Sequence, residues 1–380
     1  MNTVLHIGAI QALFLALLIL SKKGKELPDY ILSSWFIVIA INIFGQHWVM
    51  DHKVGPSWLY GLNFSLYFLH CPFFYFYVKA LAKDYIKIST LKHSIPFLIS
   101  VICILFFEFR GYKSQLREFS FLQSGTFSDI QYLLPLLLSL FIFFLVPVYV
   151  ILIFRHLKSY ENMILQEYSS IEDINLNWIR RCNYGLGIIW LVYIASWLGE
   201  NVFHFLYQSG NFSATFYVIT ILIFYLGYYG FRQTGIFTDI PVNENKEPET
   251  KQEVNTTKLQ DEQYDEYMDK ILVFMEREKP YLNSVITIKE LAKMLNMPVN
   301  TLSKVINQGL NKNFFDFINR YRVEEFKKEV IEKKNANLTL LAIAHDCGFN
   351  SKSSFNQIFK NHTGKTPTEY LKEVQKNQHT

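Results

Sequence analysis

Two short sets of side chains in the last third of the chain carry hydrogen-bonding chemistry at helical spacing. Asn300, Thr301, Ser303, Lys304 and Asn307 form the first; Ser351, Lys352, Ser353, Asn356, Gln357 and Lys360 form the second. Amides of Asn and Gln can pair bidentately with the edge of adenine, and Lys reaches guanine or a backbone phosphate. Asn356 and Gln357 are the side chains best suited to reading bases. For Asn300 and Ser351 a second role stands beside that one, because both residue types cap helices.

A third polar set lies in apolar surroundings: Gln46, His47, Asn63, Glu200, Asn201 and His204. Glu200 and His204 are four apart and share a helix face. Such residues fit an outward-facing pocket for a small-molecule signal, since ionisable groups within apolar helices mark function. They also fit helix ends within reach of water. His70, Cys71 and Pro72 suggest a kinked helix with its polar groups satisfied internally. No HExxH, GxSxG or phosphate-binding Gly-rich loop occurs. Four cysteines, at 71, 103, 182 and 347, have neither paired nor CxxC spacing, so no disulfide framework or thiolate metal site is expected. No catalytic residue, metal or cofactor is expected, and the chain does not read as an enzyme.

The elements that must position these residues follow from composition. Of 380 residues, 50% are hydrophobic, 17% aromatic and 18% charged. Soluble domains carry about 25% charge. Mean hydropathy is +0.12. Residues 1–240 form seven apolar runs: Val4 to Leu20, Ile31 to Met50, Trp58 to Leu81, Ile95 to Phe107, Ile130 to Phe154, Gly185 to Tyr207 and Ala214 to Phe231. A bilayer core needs about 20 such residues in a helix. Lys22, Lys23 and Lys25 follow the first run and no basic residue precedes it, unlike a cleaved signal peptide. Alternate loops hold eleven Lys and Arg against four. The richer set belongs in the cytoplasm. Seven crossings then leave the N-terminus outside and the last part of the chain inside.

Residues 241–261 lack aromatics and are rich in Glu, Asn, Lys and Thr, as in a flexible cytoplasmic tether. From 262 to 376 the helical period returns. Tyr264, Met268, Ile271, Leu272 and Met275 make an amphipathic helix that packs on its own domain or on a second copy of the chain. Thr287 and Glu290 have capping-box spacing. The helix they open carries Leu291, Ala292 and Leu295. After a break at Asn296 to Pro298, a second helix from about Asn300 turns Leu302, Val305 and Ile306 inward, with Gly309 as its stop. Helix, tight turn, helix is the plan that lays its second helix in the DNA major groove. The plan repeats: Thr339 precedes Leu340, Leu341, Ile343 and Ala344, a turn falls at Gly348-Phe349, and Phe355, Ile358 and Phe359 line the next helix. Between the units runs one helix, Phe314 to about Glu332, nearly as long as the ~34 Å between adjacent grooves. From Leu282 to Thr380 there are fifteen Lys and Arg against nine Asp and Glu, as phosphate contact requires.

The run Ile343-Ala344, Cys347-Gly348-Phe349, Ser351, Ser353-Ser354-Phe355, Phe359-Lys360, Gly364, Thr366-Pro367 and Tyr370 closely resembles the second helix-turn-helix of AraC/XylS-type transcriptional regulators. Leu291-Ala292, Leu302-Ser303 and Asn319 with Arg322-Val323-Glu324-Glu325 resemble the family's first unit and linker helix. Leu371 stands where the family often has Arg, and Phe326 where it often has a small residue. The resemblance covers under a third of the chain. It implies a seven-helix DNA-binding domain that activates or represses promoters, with double-stranded promoter DNA and RNA polymerase as partners. The expected fold is therefore all-α: a seven-helix transmembrane bundle followed by a double helix-turn-helix domain. The expected protein is a regulator tethered to the bacterial cytoplasmic membrane, with a bundle that senses an external or lipid-soluble signal and dimerises as its means of coupling. A membrane transporter or enzyme whose DNA-binding domain only autoregulates its gene is the alternative.

Overall fold

The computed structural model describes residues 2–51, 57–82, 92–109, 130–172, 174, 176–201, 212–232, 261–331 and 338–378. They fall into two compact units: Met1–Lys158 with Leu176–Gly235, and Ser159–Asn175 with Ile236–Thr380. Both are helical, and one isolated antiparallel bridge, Tyr168 with Thr287, is the extended pairing among the described residues. The expected tether, 241–261, lies outside those residues except for Asp261.

The first unit contains α1 (Asn2–Leu20), α2 (Leu27–Asp51), α3 (Ser57–Ser65), α4 (Tyr67–Leu81), α5 (Ile95–Phe109), most of α6 (Ile130–Glu167), α7 (Asn177–Asn201) and α8 (Phe212–Arg232). Each expected apolar run is helical where described, with three differences. The third run is two helices, because the chain turns at Leu66 ahead of Pro72. Pro72 itself lies inside α4, which continues past it to Leu81. Next, α6 continues thirteen residues past Phe154 and reaches about 57 Å. Finally, α7 begins at Asn177, so Arg180 and Arg181 lie in its first turns rather than in a loop. Two described stretches, Leu27–Gly45 and Leu140–Glu167, are long and apolar enough to cross a bilayer; His6–Leu20, Lys92–Phe106 and Val218–Arg232 are apolar but shorter. Seven crossings is thus more than helix length and composition alone supply.

Packing within this unit brings helix backbones close. A Cβ on Gly227 of α8 would come within 2.4 Å of Leu15 on α1, and one on Gly230 within 2.3 Å of Leu32 on α2. Polar groups are turned inward. Trp35 donates to His70 Nδ1 at 3.3 Å, which leaves His70 Nε2 to donate to Asn42 Oδ1 at 3.3 Å. Asn42 Nδ2 in turn donates to the Asn63 carbonyl at 2.9 Å. His70 thus finds its partners on α2 and not within its own helix. Lys22 is buried too; it pairs with Asp29 at 2.8 Å and donates to the Gly230 carbonyl at 2.7 Å. A cation at the last carbonyls of α8 has the sign the helix dipole favours. Outward positions are apolar: Ile10 and Phe14 on α1, Leu98 and Ile102 on α5, Phe144 and Ile151 on α6, Ile221 on α8.

The second unit carries the segment Ser159–Asn175 and seven described helices: α9 (Asp261–Glu278), α10 (Ile288–Met294), α11 (Val299–Gly309), α12 (Phe314–Ile331), α13 (Leu340–Asp346), α14 (Lys352–Thr363) and α15 (Pro367–Gln378). A 3-10 turn, Pro280–Leu282, follows α9. Two apolar cores meet along α12. Phe314, Phe317 and Ile318 in its first half close a core with Ile271, Leu291 and Leu302. Val323 and Phe326 in its second half close another with Ile343, Phe355 and Phe359. The buried side of α9, with Ile271 and Met275, therefore packs on its own domain.

Candidate nucleic-acid interface

Local chemistry builds the first helix pair. Thr287 caps α10: its hydroxyl accepts from the Glu290 amide at 3.3 Å, and its own amide donates to Glu290 Oε2 at 2.8 Å. The turn passes through Asn296 at φ 50° and the buried Met297. Pro298 stands at the N-cap of α11 and makes no side-chain cap bond. Asn300 is therefore inside the helix and exposed, and the capping role does not apply to it. Gly309 also differs from expectation. It remains helical, and a Cβ there would fall 1.8 Å from the Tyr264 hydroxyl, so close approach of α9 requires glycine. Tyr264 bonds the Val305 carbonyl at 2.8 Å. Positive φ comes two residues later, at Asn311.

In the second pair Thr339 caps α13, accepting from the Ala342 amide at 3.1 Å. Gly348, at φ 91°, makes the turn where a Cβ would lie 2.6 Å from the Tyr281 carbonyl. Ser351 is the N-cap of α14, its hydroxyl accepting from the Ser354 amide at 3.2 Å. Phe326 fills the space between the second pair and α12: its ring lies 4.7 Å from Phe355 and 5.4 Å from Phe359, centroid to centroid. An aromatic linker residue is thus accommodated by the core itself.

The two helices α11 and α14 follow the turns and pack on α12, which is about 27 Å long, α11 through the core that holds Phe314 and Phe317, α14 through the core that holds Val323 and Phe326. On α11 Asn300 and Lys304 are exposed, Thr301, Ser303 and Asn307 half-buried, and Asn307 donates to Ser303 at 3.2 Å. On α14 Lys352, Ser353, Gln357 and Lys360 are exposed and Asn356 is half-buried. Apolar residues of both helices face the cores, so each leaves one polar stripe open. Of the third polar set, Asn63 has a described side chain. Asn63 is buried and bonded to Asn42. The side chains of Gln46, His47, Glu200 and Asn201, and all of His204, lie outside the described residues.

One densely bonded, buried polar residue was noted in the sequence only as part of the linker-helix resemblance. Arg322, 2% exposed, donates to the carbonyls of Tyr281 (2.8 Å) and Asn283 (2.8 Å), to Asn319 Oδ1 (3.1 Å), and to Ser169 through its carbonyl (3.2 Å) and hydroxyl (3.1 Å). Burial lowers its pKa to about 10, which leaves it charged at neutral pH. Nearby, buried Glu325 accepts from Lys279 and Tyr281. Burial first, then the carboxylates of Glu325, Glu329 and Asp346, push the Cys347 thiol up to about 12. The i,i+3 pair Asn319 and Arg322 on the inner side of an amphipathic helix was the available signal.

A domain of two helix-turn-helix units on one connecting helix is the class this architecture defines. A family model described as a helix-turn-helix domain matches residues 291–373. The chain is also similar to the Msm operon regulatory protein of Streptococcus mutans, 29% identical over 94 residues. That match covers 25% of this chain and 33% of the relative, so the chain spans about a third of the curated protein it matches. No solved structure matches significantly.

Proposed function

We propose that this chain is a membrane-tethered, sequence-specific DNA-binding transcriptional regulator. The observation that carries the reading is the pair of turn-following helices, α11 and α14, each with an open polar stripe, packed on one connecting helix. A connecting helix of about 27 Å suits reading helices in consecutive major grooves on one face of B-DNA. Promoter DNA and RNA polymerase are the partners this implies, in line with a relative named as an operon regulator.

The tether rests on the first unit. Its outer positions are large and apolar while Gln11, Lys22, Asn42, Asn63 and Asn183 are buried. That arrangement suits lipid, because exposed apolar patches on soluble monomers rarely exceed a few hundred Å². On this reading the DNA-binding domain is cytoplasmic, tethered to the bacterial inner membrane, and the first unit senses an external or lipid-soluble signal.

Selection from random duplexes with the detergent-solubilised full chain should return a site with two half-sites. Lys360→Ala should weaken all duplexes alike and reduce the salt slope by about one, whereas Gln357→Ala should relax preference at one position. Equal binding of every duplex by the parent chain would overturn the reading.

A further inference from the structure

The segment joining α6 to α7 belongs to the second unit, although its neighbours in sequence are helices of the first. Its contacts there are dense and polar. The Ser169 carbonyl accepts from Asn319 Nδ2 at 3.0 Å as well as from Arg322, and its amide donates to the Ile286 carbonyl at 3.3 Å. Tyr168 bridges Thr287, the cap of α10. Ser170 Oγ accepts from Asn350 Nδ2 at 3.0 Å, and Glu172 Oε1 accepts from the Ser351 hydroxyl at 2.7 Å. Five residues, Tyr168 to Glu172, therefore reach the start of α10, the middle of α12 and the start of α14.

Two features give this contact a functional sign. First, Asn319 and Arg322 are 0% and 2% exposed, and much of their hydrogen bonding is spent on Ser169. Buried donors left unpaired are costly, so this surface is shaped to receive a strand. Second, the Glu172 carboxylate sits on the cap of α14. Helix N-termini attract anions, and the N-terminal end of a reading helix contacts the base edges. A carboxylate fixed there carries the same sign of charge that a DNA phosphate would bring to that helix end, and like charges repel.

We propose that Tyr168 to Glu172 is an internal partner of the DNA-binding domain, which it holds in a state of reduced DNA affinity. The proposal rests on the DNA-binding reading above. Both ends of the segment continue into apolar helices, so a signal that shifts α6 against α7 acts on the reading helices without passing through residues 233–260.

The test uses the full chain in lipid nanodiscs and a fluorescent pool of random duplexes long enough to span two major grooves. Glu172→Gln should tighten binding by about 10-fold, the low end of what a charge-assisted hydrogen bond supplies. Glu167→Gln, which removes the same charge from the end of α6, should leave affinity unchanged. Saturating the parent with duplex should speed hydrogen exchange at the Ser169 amide, since mutual exclusion is reciprocal. If all three chains bind alike and Ser169 exchange does not change, this proposal falls and the DNA-binding reading stands. If none binds duplex, the DNA-binding reading falls and takes the competition with it.

Discussion

Phenylalanine is buried in both units, but among the described residues it reaches the surface only in the first. In the second, Phe326 is fully buried between α12 and α14; in the first, Phe144 is 63% exposed on α6. Polar groups are buried in both, in the Trp35–His70–Asn42–Asn63 chain and around Arg322, but the second unit also opens Lys304, Gln357 and Lys360 to its surface. The contrast is the one that the proposed membrane tether calls for, and it rests on exposed side chains rather than on the count of long helices.

Phe326→Ala is the strongest way to sharpen this contrast. Loss of a buried ring costs about 3–5 kcal/mol. The buried Cys347 thiol should then react with a maleimide at much lower denaturant, as read by peptide mapping. Phe144→Arg tests the other side: about 2.5–3.5 kcal/mol against insertion if the position is near mid-bilayer. Yield of membrane-integrated protein would show it. On a water-facing surface the same change stays within about 0.5 kcal/mol, and that result would break the comparison. Thr287→Ala removes a cap and should cost the second unit about 1 kcal/mol in urea titration.

The smallest effect concerns pH. Glu369 accepts from the Thr366 amide at 2.7 Å and from no buried partner, and these Thr366 hydrogen bonds hold its carboxyl below the usual range. A depressed folded value means the cap of α15 is fully present above the unfolded carboxylate pKa. It is lost as pH falls through the folded value. Amide exchange in α15 should therefore rise on acidification, and Glu369→Gln should remove most of that pH dependence.

Much of the second unit was legible because its signals are local. Thr287 with Glu290, Thr339 with its helix, and the spacing of Phe355, Ile358 and Phe359 each act within one or two turns. Gly309 was misread because its reason is the Tyr264 hydroxyl, from another helix. Asn300 was left open because the helix start moved one residue earlier, to Val299. The contact of Ser169 with Arg322 joins residues 153 apart in sequence, and no local pattern reports it. In the first unit the apolar runs located helices well. The basic residues used to end them misplaced the limits of α6 and α7, since Lys and Arg are good helix formers.

One helix, α12, supplies the floor of both apolar cores. Neither reading unit has a complete foundation of its own, so the loss of either should undo the other. The pair is then expected to melt in a single step, and a gene fragment ending within residues 319–322 would encode no stable half. The two helix pairs are thus one all-or-none folding unit, kept or lost together.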